Sequence, residues 1–157
     1  MKKLIIVSSL ILLVLVGCGK SSNTIKLLNY KDSYVGDNSA IGNIINLLPA
    51  HEYLDGFELQ TMQEPYTITI NYKDFNGMTI KSNNGKTQKA SLDQILQGNS
   101  MVIFSLIKNA EIINFNVEGY DIVSFDKVIL SDKYGSNLDS ISQDESSLQN
   151  FINSYTD

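Results

Sequence analysis

The chain has 157 residues, 12 lysines with no arginine, and 17 acidic residues, for a net charge of −5 and a pI near 4.8. That length suits one ordinary domain. The acidic balance excludes the basic patch that nucleic-acid binding needs to release counterions from phosphates. One cysteine excludes an intramolecular disulfide and a cysteine-cluster metal site, and one histidine excludes a paired-histidine site. No cofactor is expected.

Residues 1–17 read as a signal peptide. Lys2 and Lys3 make a positive start, and Leu4 to Val16 is apolar apart from Ser8 and Ser9. That run is short of the roughly 20 residues a membrane-spanning helix needs. Leu15-Val16-Gly17-Cys18 resembles a bacterial lipobox. The resemblance implies thioether attachment of a diacylglycerol, palmitate among its usual chains, to Cys18 and cleavage after Gly17. Two acyl chains give stable anchoring where one does not. Residues 18–29 then read as the lipidated cysteine and a polar tether, with one domain over 30–157. Removing 1–17 leaves 10 lysines against 17 acidic residues, a net of −7. An anionic membrane surface would repel that charge, so the lipid has to hold the protein in place.

In the mature chain, Asp37 is a helix N-cap, Ile41, Ile44, Ile45 and Leu48 recur at helical spacing, and Pro49 stops the helix. Phe57, Leu59 and Thr61 alternate with polar residues. So do Tyr66, Ile68, Ile70 and Tyr72, and the two strands read as a hairpin. Asn76-Gly77 and Asn83-Asn84-Gly85-Lys86 are turn signals around a short strand, Met78 to Lys81. Ser91 opens a helix bearing Leu92, Ile95, Leu96, Ile103, Leu106 and Ile107, which Gly98 and Asn99 weaken in the middle. Ile113, Phe115 and Val117 form another strand. Ser124 reads as the cap of a short helix carrying Val128 and Ile129 and closed by Gly135. Ser142-Gln143-Asp144-Glu145 reads as a capping box before a stripe of Leu148, Phe151, Ile152 and Tyr155. Strands adjacent in sequence with segregated helices predict an α+β domain, a small mostly antiparallel sheet of three to four strands packed against helices.

The run Tyr34-Val35-Gly36-Asp37-Asn38-Ser39, the helix end Leu47-Leu48-Pro49, and the hairpin Leu59-Gln60-Thr61…Glu64-Pro65-Tyr66-Thr67-Ile68 resemble the DUF4825 domain. The similarity covers roughly Tyr30 to Val117. That family occurs in Gram-positive lipoproteins and in extracytoplasmic segments joined to membrane metallopeptidases of the antirepressor type. The resemblance implies an extracytoplasmic place and a sensory or interaction role, and supplies no catalytic residue. A zinc peptidase needs His-Glu-x-x-His, whereas here His51-Glu52 is followed by Tyr53-Leu54-Asp55.

His51 is the one histidine available as a general base, and the chain has no Gly-x-Ser-x-Gly elbow to supply a nucleophile. It reads as a solvated loop residue. Asp32, Asp37 and Asn38 lack the alternating spacing of a calcium loop, and capping accounts for Asp37. Were this loop to bind a ligand, the N–H groups of the first helical turn would favour an anion or a carbonyl. Tyr30 and Tyr34, ahead of the helix, are candidate surface rings, and with Asp37 and Asn38 they form the speculative binding set. Thr67, Thr69 and Asn71 read as the solvent side of the sheet.

The expectation is a non-enzymatic binding, sensing or interaction module on the outer face of a Gram-positive membrane. It would be anchored by lipid on Cys18, with an envelope or membrane protein as partner. The alternatives are a cell-envelope hydrolase using His51 and an accessory inhibitor of a membrane peptidase.

Overall fold

The computed structural model describes residues 22–73, 79–81, 87–89, 91–134 and 137–156. Cys18, both Asn-Gly turn signals, Met78 and Gly135 lie outside them.

The first element is a correction. Within the stretch read as tether, α1 (Asn23–Leu28) is a helix capped by Ser22, whose hydroxyl accepts from the Ile25 N–H. Leu27 is fully buried and Thr24 nearly so. A short helix is marginal in water, so it is the seating of these two side chains that holds α1.

α2 (Asn38–Leu47) starts as the sequence predicts, with Asp37 Oδ1 accepting from the Ala40 N–H at 2.9 Å. Ile41, Ile44, Ile45 and Leu48 are each at most 1% exposed. A short 3-10 turn, His51–Tyr53, leads into β1 (Leu54–Gln60), which pairs antiparallel with β2 (Thr67–Tyr72). The predicted hairpin is present. On β2, Ile68, Ile70 and Tyr72 are buried, while Thr67, Thr69 and Asn71 are half-buried on the other face. β3 (Thr79–Lys81) and β4 (Thr87–Lys89) form a separate two-stranded ribbon.

α3 (Leu92–Leu106) runs unbroken through Gly98 and Asn99 and is buried on every side from Gly98 onward. Burial all round marks a helix enclosed by other elements. β5 (Ile112–Val117) then returns parallel to β2, across the long crossover that a parallel pair requires.

β6 (Val123–Asp126) pairs antiparallel with β5, and Ser124 sits within it, donating across the sheet to Asn114 at 2.8 Å. The cap of α4 (Lys127–Tyr134) is instead Asp126, whose Oδ1 accepts from the N–H groups of Val128 and Ile129. Those two residues point outward, 68% and 66% exposed, and Leu130 is the buried one. The capping box before α5 (Glu145–Thr156) is also corrected: Asp144 Oδ1 accepts from the Ser147 N–H at 2.8 Å. Ser142 is fully buried and donates to the Ser105 carbonyl.

Among the described residues the result is an α+β fold with five helices and an open, mostly antiparallel four-stranded sheet in the order β1-β2-β5-β6. α5 lies against α3 and α1, and α1 lies against α2. The ends of α1, α2 and α5 thus meet in one place.

Candidate functional site

Where they meet lies a cleft of about 280 Å³. Its floor is apolar: Leu48, Ala50 and Ile152 are at most 7% exposed and belong to the core. Ser22, Thr24, His51, Glu52, Gln149 and Thr156 supply the polar rim. Ala50 sits in the left-handed region at φ 69°, which turns the chain after Pro49 and swings His51 and Glu52 onto the rim.

Two hydrogen bonds tie α1 to α5 along one wall. Ser22 Oγ donates to Glu145 Oε1 at 2.7 Å, and Thr24 Oγ1 donates to Gln149 Oε1 at 3.3 Å. Ser22 Oγ also lies 2.8 Å from Thr24 Oγ1, whose one proton is shared between Ser22 and Gln149, and with the Ile25 N–H on its other lone pair the Ser22 hydroxyl is fully engaged.

His51 is half-exposed on the rim, not free in a loop. Its Nδ1 lies 3.0 Å from the Leu48 carbonyl, and since a carbonyl only accepts, the neutral ring that makes this bond carries its proton on Nδ1 and offers Nε2 as an acceptor. The Glu52 carboxylate is 3.7 Å away. Ser22 lines the same cleft, but among the described residues no serine or threonine hydroxyl is hydrogen-bonded to His51. A nucleophile–base pair requires that bond.

Behind the floor sits a buried polar cluster that the sequence reading misses. Asn99, fully buried on α3, donates from Nδ2 to the Pro49 carbonyl at 2.9 Å and accepts from the Tyr155 hydroxyl at 3.0 Å. Burial pushes the Tyr155 phenol well above its ordinary value, and neighbouring Tyr72 adds to the shift. Tyr72 is driven far up by burial, pulled partly back by hydrogen bonding with Asn99, and raised further by the Glu52 charge. The available signal was the pair Gly98-Asn99 inside an apolar helix. It marks a close helix–helix contact: a Cβ on Gly98 would lie 2.5 Å from the Tyr155 ring.

These phenols predict an alkaline weakness. In the unfolded chain they ionise near pH 10.0, whereas in the fold they keep their protons to higher pH. Above pH 10 the unfolded state therefore binds fewer protons, and stability falls as pH rises toward the folded value. Urea unfolding at pH 8 and pH 11 should show a smaller alkaline loss for Tyr155→Phe than for the parent. An equal loss would contradict the assignment.

The residues read as a binding set are not gathered into this cleft. Tyr30 packs against the core. Tyr34 is 54% exposed with Lys108 Nζ 6.0 Å from its ring centroid. Asp37 is occupied as the α2 cap, and Asn38 is the exposed first residue of that helix. The loop carrying Tyr34 is fastened to the end of α3 by Val35 N–H to Asn109 Oδ1 and Lys108 N–H to the Ser33 carbonyl.

Among the described residues, no group of three or more metal-ligating side chains is assembled and no helix is long and apolar enough to cross a membrane. A family model described as a domain of unknown function, DUF4825, matches residues 27–128. The chain belongs to the DUF4825 family. No curated protein and no solved structure matches it.

The DUF4825 match runs from the end of α1 through β6 to the start of α4, further than the stretch from Tyr30 to Val117 that carried the resemblance. Only the Leu47–Glu52 side of the cleft lies within it. Ser22, Asn23 and Thr24 precede the match, and Gln149, Ile152 and Thr156 follow it. The cleft is therefore built where this chain's terminal helices close over the DUF4825 core.

Proposed function

We propose that this DUF4825 protein is an extracytoplasmic, lipid-anchored binding module of the cell envelope. It works without chemistry of its own and engages an envelope or membrane partner. The observation that carries the reading is the cleft: an apolar floor framed by open polar groups, among them the acceptor Nε2 of His51 and the Glu52 carboxylate. Apolar floors with a few convergent polar groups are how proteins usually hold ligands. Ser22 on its rim is four residues after Cys18, so a lipid on that cysteine would keep the cleft within about 14 Å of the membrane surface, the extended reach of four residues.

The anchor is tested by Cys18→Ala. The parent should take up labelled palmitate and sediment with membranes, whereas Cys18→Ala should do neither. An unprocessed parent N-terminus, or equal membrane retention of the variant, would overturn the anchor. The hydrolase alternative needs Ser22 to leave Glu145 and Thr24 and turn to His51 Nε2. A measured turnover abolished by both His51→Ala and Ser22→Ala would replace the binding reading.

A further inference from the structure

The rim of the cleft has spent its hydroxyl protons and kept acceptors. Ser22 gives its proton to Glu145, Thr24 shares its own between Ser22 and Gln149, and Thr156 donates to the Ile152 carbonyl at 2.9 Å. Gln149 gives an amide proton to Asn153 at 2.9 Å. What the rim still offers is the Nε2 lone pair of His51 and the Glu52 carboxylate, with the exposed Asn23 amide at its edge.

Charge points the same way. Among the described residues no lysine lines the cleft, although the chain has 12. A second carboxylate, Glu145, stands one hydrogen bond behind Ser22. An anionic ligand would therefore meet like charge with no cation to hold it. The start of α1 does not reverse that sign, because Glu145 already lies against its cap residue. A cation finds the opposite. An ammonium has three protons to place, and Nε2 with the two oxygens of Glu52 offers three acceptors. Glu52 Oε2 lies 3.7 Å from the same imidazole, so one ammonium can reach both groups through bonds of about 2.9 Å. A guanidinium carries five N–H donors in a rigid plane and would leave some unpaired here. The floor of Leu48, Ala50 and Ile152 suits an alkyl stem, which long cationic side chains lay along apolar surface. At 280 Å³ the cleft falls just short of the about 300–1,000 Å³ of pockets that enclose whole small molecules. One side chain fits that size.

We propose that the cleft holds the end of a lysine side chain presented by the partner, its stem on the apolar floor and its ammonium protons on His51 Nε2 and Glu52. This deepens the binding reading above and rests on it.

Magnetic-resonance titration of the mature chain carrying Cys18→Ala tests the ammonium. Nα-acetyl-lysine methylamide should shift the amides of His51, Glu52 and Ile152. Its norleucine analogue keeps the stem without the ammonium, and should bind about tenfold more weakly, the loss expected of a hydrogen bond to a charged group. Glu52→Gln should weaken the lysine probe to a similar degree. Glu52 is 56% exposed, so that variant leaves the fold intact. Equal binding of the norleucine form, or undiminished binding in Glu52→Gln, would overturn the ammonium. In intact cells a carbodiimide should join the Glu52 carboxylate to the partner's lysine as an amide, giving a discrete adduct that Glu52→Gln loses. The same adduct from Glu52→Gln, or none from parent protein that sediments with membranes, would overturn the lysine. Photo-crosslinking from position 51 keeps the two failures apart: an adduct there without any amide would end the lysine proposal and leave the cleft reading standing.

Discussion

Asn99→Ala is expected to destabilise the domain by about 2–5 kcal/mol, since a buried group left unsatisfied costs about 1–3 kcal/mol and this change strands at least two. The Pro49 carbonyl loses its donor and the Tyr155 hydroxyl its acceptor, both in the interior behind the cleft. Alanine's better helix propensity returns only about 0.5 kcal/mol of that. Equilibrium urea unfolding checks the size, and a double-mutant cycle with Tyr155→Phe checks the cause. Because Tyr155→Phe removes the stranded donor, the double variant should cost less than the sum of the singles by about 0.5–3 kcal/mol. Additive losses would mean that Asn99 acts through its packing alone.

Phe115→Ala should cost about 3–5 kcal/mol, the usual penalty for emptying a buried aromatic site. Phe115 is fully buried on β5, between β2 and β6. Its ring stacks on Tyr72 at 6.0 Å between centroids and meets Phe125 edge-on at 5.9 Å. The three rings cross the sheet from β2 to β6, so the void would open in its centre with no exposed neighbour able to collapse into it. Against a total stability of about 5–15 kcal/mol, the variant should be partly unfolded near 37 °C. A loss below about 1 kcal/mol would contradict the placement of this ring.

Legibility in the sequence followed the range of the interaction. The hairpin partners lie a few residues apart, and the alternation from Tyr66 to Tyr72 gives both the strand and its buried face. The Asp37 cap is equally local. In two places the aspartate beside the helix caps it where the sequence reading put a more distant serine, Asp126 instead of Ser124 and Asp144 instead of Ser142. Ser124 was claimed by its neighbour across the sheet, and Ser142 by a carbonyl of α3. α1 carries only a short apolar signature, with Leu27 as its fully buried member, and its reason to fold is its packing on α2 and on α5, the latter more than a hundred residues away.

The candidate site was legible in part. The residues Tyr30, Tyr34, Asp37 and Asn38 were chosen for nearness in sequence, and the fold gives them separate tasks. His51 was noticed as a lone base, but its setting depends on Ala50's left-handed turn and on two helices from the ends of the chain. Gly98-Asn99 looked like a flaw in α3 because its purpose is a residue on another helix. Long-range packing of this kind has no period to reveal it.

The central proposal is that the cleft beside His51 is the place where this protein binds a partner. Its most direct test puts a photo-crosslinking residue at position 51 in intact cells, with position 129 on the exposed face of α4 as the comparison. The account predicts a discrete adduct from position 51, weakened by filling the cleft with Ala50→Leu in chains that still sediment with membranes, and none of that adduct from position 129. The same adduct from both positions, or none from position 51 in protein that sediments with membranes, would contradict it.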